Sequence, residues 1–329
     1  MRTEFVDAEA TGAPQRVEQM PLPAGIKTRR ILWLPAFWVV SYHLLALLAL
    51  LPWFFNWTGV ALAIIGDFVF GVLGINLCYH RLLTHRSFRC PKWFEHTLAV
   101  LGLCCVEDTP MRWVAVHRAH HQHADEQPDP HSPLVNFLWA HVGWVVVENP
   151  GLHPFALYDR YARDLLKDPF YRRLERRTVH LGIIVFSWML FFAGGFLASL
   201  LLGGTSTDAV QFGASLLVWG VFVRTVAVWH QTWAVNSLSH MWGYRNYATD
   251  DDSRNNVFVG IVSNGEGWHN NHHADQRSAR HGHHWWELDT TYWTIKVLAA
   301  LGLVRDVITP KPDLAERFAP GASRAAENG

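Results

Sequence analysis

The run HRAHHQHADEQPDPH, residues 117–131, places five histidines and three carboxylates side by side. Its first three histidines, His117, His120 and His121, follow the spacing HxxHH, and positions i, i+3 and i+4 share one face of a helix. Three neutral imidazoles on one face can hold a metal ion. A solvated histidine-rich loop fits a single HxxHH equally well. The pattern does not stand alone, however. HRLLTH supplies His80 and His85, NSLSHMWG supplies Asn236 and His240, and HNNHH repeats the spacing with His269, His272 and His273. Nine imidazoles exceed the needs of one ion, since a closed zinc site takes four ligands. They suit a dinuclear site with open positions, and imidazole alone does not choose between zinc, copper, iron and nickel.

These clusters lie dozens of residues apart, so the elements between them must bring them together. Half of the 329 residues are hydrophobic, 17% are charged and 17 are Trp, with zero net charge. Nothing in that balance points to nucleic acid. Four apolar runs, at 31–52, 59–79, 181–202 and 210–232, reach the roughly 20 residues that a helix needs to cross a bilayer. The turns PWFFNWTG and GGTSTD join them into two helical hairpins. Neither turn contains Lys or Arg, and of the 28 Lys and Arg only Arg224 falls within a run. The N-terminus, the long segment 80–180 and the part after 232 then share one side. The positive-inside rule makes that side the cytoplasm, and KTRR at 27–30 abuts the first run. All the histidine clusters emerge there.

The expected fold is therefore all-α: a polytopic membrane protein with four transmembrane helices in two hairpins and a cytoplasmic helical cap holding a dinuclear metal site. Residues 1–30 form a cytoplasmic segment without the features of a signal peptide, 31–310 a single integral-membrane domain, and 311–329 a polar, frayed tail. Apolar stretches at 97–106 and 134–147 are too short to span and belong in the interface or under the cap. Cys78, Cys90, Cys104 and Cys105 match no zinc or iron–sulfur spacing and read as packed thiols.

HRLLTHRSF (80–88), HRAHH (117–121) with DPH (129–131), NSLSHMWG (236–243) and GEGWHNNHH (265–273) resemble the histidine boxes of the membrane-bound fatty acid desaturases, in particular the acyl-CoA delta-9 branch. The resemblance runs in order over residues 31–305. It implies two non-haem irons held by His80, His85, His117, His120, His121, His240, His269, His272 and His273, with Asn236 reaching its iron through a water. The implied reaction is oxygen-dependent desaturation of a saturated long-chain acyl group, giving a cis double bond at carbon nine. Asp125, Asp129 and Glu266 are expected to orient the ligands. Acyl-CoA is the expected carrier. Ala115 and Val116, however, stand where the animal acyl-CoA enzymes carry Arg and Asp, which leaves a lipid-linked or carrier-protein-linked chain open.

An acyl tunnel would descend between the spans. Ile64 and Phe68, sixteen and twelve residues before His80, lie roughly 24 and 18 Å along a helix from it, and are the residues expected to set tunnel depth. Electrons must come from outside, because the chain has no cysteine cluster, no GxGxxG and no His-Pro-Gly-Gly haem motif. A ferredoxin, a rubredoxin or a cytochrome b5 with its reductase is implied. The nearest rival is a fatty acyl or lipid hydroxylase on the same scaffold. A rival of another class is a histidine-rich metal transporter or sensor, which would line a path through the membrane.

Other polar residues read as accessories. His281, His283 and His284 are expected to be solvated or to lie behind the ligands, and His131 to lie behind them as well. His96, His141, His153 and His180 are expected at the interface or hydrogen-bonded in the core. Arg224 is expected to snorkel. Asp67 should pair with another span.

Overall fold

The structure, a computed structural model, describes residues 19–314. Most of the expected N-terminal segment and tail, residues 1–18 and 315–329, lies outside the described residues. The chain is all-helical, with isolated bridges and no strand among the described residues. Four helices are long and apolar enough to cross a membrane: Trp33–Leu50, Trp57–Thr84, Arg177–Leu201 and Ser206–Met241.

The second and fourth long helices begin at capping side chains. Asn56 caps the second, its side chain accepting from the backbone N–H of Gly59 at 2.6 Å. Thr205 and Asp208 form a reciprocal capping box that starts the fourth. The third and fourth helices approach so closely that a Cβ on Gly195 would meet Gly213 Cα at 2.9 Å. Small residues at such contacts let backbones pack without intervening side chains.

The second and fourth helices run well past the apolar runs. The second continues to Thr84 and carries His80; the fourth continues to Met241 and carries Asn236 and His240. From Asp67 to Thr84 the second helix is wound in π register, and His85 N–H closes on His80 C=O, five residues back, at 3.2 Å. The remaining chain builds the cap. Helix Lys92–Leu103 lies against the second helix, where a Cβ on Gly74 would sit 2.4 Å from Gly102 N. Helix Pro110–Gln122, capped by Thr109 with proline in its first turn, carries the first HxxHH. The short helix His269–Ala274 carries the second.

Two expectations about polar residues in the long helices resolve differently. Asp67 has a partner in the fourth helix: Gln231 Nε2 donates to its Oδ1 at 2.9 Å. Arg224 does not snorkel. It is 1% exposed, its guanidinium lies 4.1 Å from the centre of the Phe70 ring, and its Nη2 donates to Cys104 C=O at 3.3 Å. The facing aromatic ring and carbonyl hold it inside the helix bundle.

Candidate metal centre

The nine histidines singled out from the sequence fall into two groups. His80, His85, His117, His121 and His272 offer nitrogens that all lie within 4.8 Å of one another, and so do His120, His240, His269 and His273. The two HxxHH motifs each divide between the groups. In the first, His117 and His121, one turn apart, join one group and His120 the other; in the second, His269 and His273 share a group and His272 joins its neighbour. One helical face thus serves two centres. Winding in π register explains how His80 and His85 join: five residues on an α-helix diverge by about 140°, whereas here their ring centroids are 4.8 Å apart.

Carboxylates stand behind four of these rings. His80 Nδ1 donates to Glu266 Oε2 at 2.6 Å, His240 Nδ1 to Asp125 Oδ2 at 2.6 Å, and His120 Nδ1 to both oxygens of Asp129 at 3.0 Å. The fourth, Asp251, was missed in the sequence; it accepts from His273 Nδ1 at 2.6 Å. Its only signal is the acidic run Asp250–Asp251–Asp252 that follows the fourth helix. With Nδ1 protonated and spent, Nε2 of each ring is left as a lone pair.

The Nε2 atoms of the two groups converge. His80 Nε2 and His272 Nε2 are 3.1 Å apart, His272 and His121 3.0 Å, His121 and His117 3.0 Å, and His273 and His269 3.1 Å. The Nε2 atoms of His85, His120 and His240 are buried with no hydrogen-bond partner. Separations near 3.0 Å suit an N–H···N hydrogen bond when one nitrogen carries the proton, and equally two metal–nitrogen bonds of about 2.1 Å at a right angle, which put their nitrogens roughly 3.0 Å apart. The donor set fits metal ions on both counts.

Electrostatics agree. Burial, with neighbouring imidazoles adding to it, holds His117, His121, His269 and His272 well below the usual histidine range. They are therefore neutral and able to ligate. Burial pulls the Glu266 carboxyl up, but Arg81, His281 and His80 together hold it well below the usual carboxylate range. Arg81 is fully buried and grips Glu266 Oε1 through Nε and Nη2 at 3.1 and 2.8 Å, with Asp289 at 3.0 Å from Nη1. His281 is not solvated. It is buried with its Nδ1 3.3 Å from Glu266, and its ring centroid is 4.4 Å from that of His272. His131 is buried with its ring 4.4 Å from His120. His283 is partly buried against the Tyr247 hydroxyl at 2.9 Å, and His284 is exposed.

A cavity of about 610 Å³ opens from this centre. It is lined by His117, His131 and Asn236, the last one turn before His240 on the fourth helix, and also by Trp38 and Tyr42 of the first helix and Trp188 of the third. Ile64 and Phe68 do not line it. They face outward, 68% and 41% exposed, because the buried face of the second helix is the one bearing Gly71, Val72 and Ile75.

Four long apolar helices deliver two groups of buried imidazoles to one apolar cavity, a donor set that suits a metal-dependent enzyme. The fatty acid desaturase profile matches residues 56–306, and the chain belongs to the fatty acid desaturase family. It is 40% identical to an sn-2 palmitoyl-lipid 9-desaturase of Nostoc sp. (strain 36) over 85% of this chain and 91% of that one. It is 42% identical to the chloroplastic palmitoyl-monogalactosyldiacylglycerol delta-7 desaturase of Arabidopsis thaliana, over 85% and 70%. It is 39% identical to an acyl-CoA 5-desaturase of Anemone leveillei, over 88% and 86%.

Proposed function

We propose that this protein introduces a double bond, by oxygen-dependent desaturation, into a saturated long-chain acyl group lying in the 610 Å³ cavity. The observation that carries this reading is the meeting of two imidazole groups with the end of an apolar cavity. Two irons are the metals proposed, held by the five and the four histidines respectively. When bound they supply oxygen activation strong enough to take hydrogen from an unactivated methylene. The chain's own residues do the rest. Glu266, Asp129, Asp125 and Asp251 fix each ring's Nδ1 proton and turn Nε2 inward. Asn236 lies where it can hold a water beside the fourth helix's ligand. The aromatic wall holds the chain and excludes solvent.

The proposed bond position is carbon nine, supported by the position named for the Nostoc relative. The carrier is proposed to be a glycerolipid in place of the acyl-CoA expected from the sequence. Of the cations lining the cavity, Arg112 is held by Asp108 at 2.9 Å and Arg177 stands at the start of the third helix. Support for the glycerolipid comes from the lipid-linked substrates named for the Nostoc and Arabidopsis relatives. The histidine side is assigned to the cytoplasm, with all four long helices crossing the membrane, from the distribution of Lys and Arg. Electrons are supplied by a separate redox protein.

Expression in a host, followed by gas chromatography with double-bond derivatisation, tests this beside a His120→Ala control. A new monounsaturated chain absent from the control is the expected result. A hydroxylated product, or an unchanged profile when a ferredoxin and its reductase are co-supplied, would overturn it.

A further inference from the structure

One carboxyl group in the cavity wall takes no part in holding the imidazoles. Glu107 lines the cavity just before helix Pro110–Gln122. Its Oε2 accepts from the indole Nε1 of Trp113 at 3.1 Å, and its Oε1 meets the Thr232 hydroxyl at 2.9 Å. Both partners lead toward the metal centre. Trp113 is stacked on His117 with ring centroids 5.0 Å apart, and Thr232 sits one turn before Asn236 on the fourth helix.

Among the described residues no cation pairs with this carboxyl. Asp108 and Arg112, its neighbours on the same loop and the following helix, are bonded to each other. Arg224 of the fourth helix is turned to Phe70 and Cys104. The first helix presents Tyr42 to the cavity, and the third presents Arg177 and His180, neither of them bonded to Glu107; the histidine side presents His117 and His131, both held neutral mainly by burial. Burial accordingly pushes the Glu107 carboxyl up to about 8, against the pull of its bonds to Thr232 and Trp113. Trp113 can only donate, so Oε2 remains an acceptor. The acid proton then belongs on Oε1, where the Thr232 hydroxyl can turn to accept it.

We propose that Glu107 acts as a neutral carboxylic acid in the cavity wall, and that the cavity admits a hydrocarbon chain only while that proton is in place. An ionised carboxylate would have to surrender its water to methylene groups, with no cation paired to it. Glu107 is thus a positioning residue: it shapes the chain's bed and moves no hydrogen or electron of the reaction. The assignment rests on the acyl-cavity reading above.

Tryptophan fluorescence reads it directly, because Trp38, Trp113, Trp144, Trp188, Trp229 and Trp233 all line the cavity. The purified full-length protein is titrated with an uncharged brominated stearate methyl ester, whose bromines quench nearby indoles. Binding through the protonated form alone predicts an apparent Kd about 30-fold weaker at about pH 9.5 than at about pH 6. Glu107→Gln, neutral at every pH, is expected to remove that dependence. In turnover, the wild type should lose affinity as pH rises, through KM and not kcat. Saturable quenching with the same Kd at both pH values, or a Glu107→Gln variant that keeps the wild-type pH dependence, would overturn the role of Glu107 alone. Absence of saturable quenching near pH 6 would overturn the acyl cavity itself, and this proposal with it.

Discussion

Asp251→Asn is the sharpest test of how the metal centre is held. Asp251 Oδ2 accepts the Nδ1 proton of His273 at 2.6 Å, while Oδ1 accepts from Thr249 Oγ1 and Ser253 N–H, each at 3.0 Å. An asparagine can satisfy one side only. If its oxygen stays with Thr249 and Ser253, its NH₂ faces His273 Nδ1. That nitrogen must then become the acceptor, and the ring proton moves to Nε2, the atom that points at His269 from 3.1 Å. If the amide flips, the NH₂ group meets the Ser253 N–H, and two donors collide. Either way His273 is lost as a well-oriented neutral ligand. Removing such an orienting partner weakens metal affinity by about 10- to 100-fold, or roughly 1.4 to 2.7 kcal/mol. The assay is metal content after dialysis against graded chelator. The variant is expected to release the ion of the four-histidine group first, so that about one of two ions remains where the wild type keeps both. Loss of both ions together, or retention of both at wild-type chelator concentrations, would refute the reasoning that Asp251 acts on one group through a tautomer.

Four further outcomes follow from the packing. Arg81→Ala leaves Glu266 and Asp289 buried without their cation and is expected to destabilise the fold by about 3–5 kcal/mol, read as a drop in thermal midpoint in detergent. Trp188→Ala removes an indole from the cavity wall and is expected to shift the preferred acyl chain longer, measured by product analysis on mixed chain lengths. Phe68→Ala, on the outer face, should leave chain preference unchanged. His272→Ala removes the ring whose Nε2 lies nearest both His80 and His121 and is expected to abolish activity and release the ion of the five-histidine group in the same chelator titration.

What the sequence made legible follows from periodicity. Both HxxHH motifs and their helices could be read because i, i+3 and i+4 share an α-helical face. The four long helices could be read because their apolar runs exceed what a soluble helix needs. Depth along a helix was mistaken for direction. Ile64 and Phe68 stand at a plausible distance from His80 but face outward, since the inward face is decided by contacts with other helices, such as Phe70 against Arg224. The cavity instead belongs to the first, third and fourth helices. Asp251 and Glu107 carry no periodic signal; a loop and a cap segment deliver them, and only tertiary packing tells such a carboxylate from a solvated one.

The π winding of the second helix ties these points together. In α register His80 and His85 would point apart, and HX4H could not serve one ion. The wider turn brings both rings to one group and places Arg81, the residue after His80, fully inside the cap. His80 and Arg81 then reach the same carboxylate, His80 on Glu266 Oε2 and Arg81 on Oε1. Arg81 keeps Glu266 ionised, and an ionised Glu266 holds the proton on His80 Nδ1, which leaves Nε2 free to bind metal. A π segment is costly and is found mostly where function requires it. Here the requirement is that one helix supply two ligands and the cation behind the carboxylate that orients one of them.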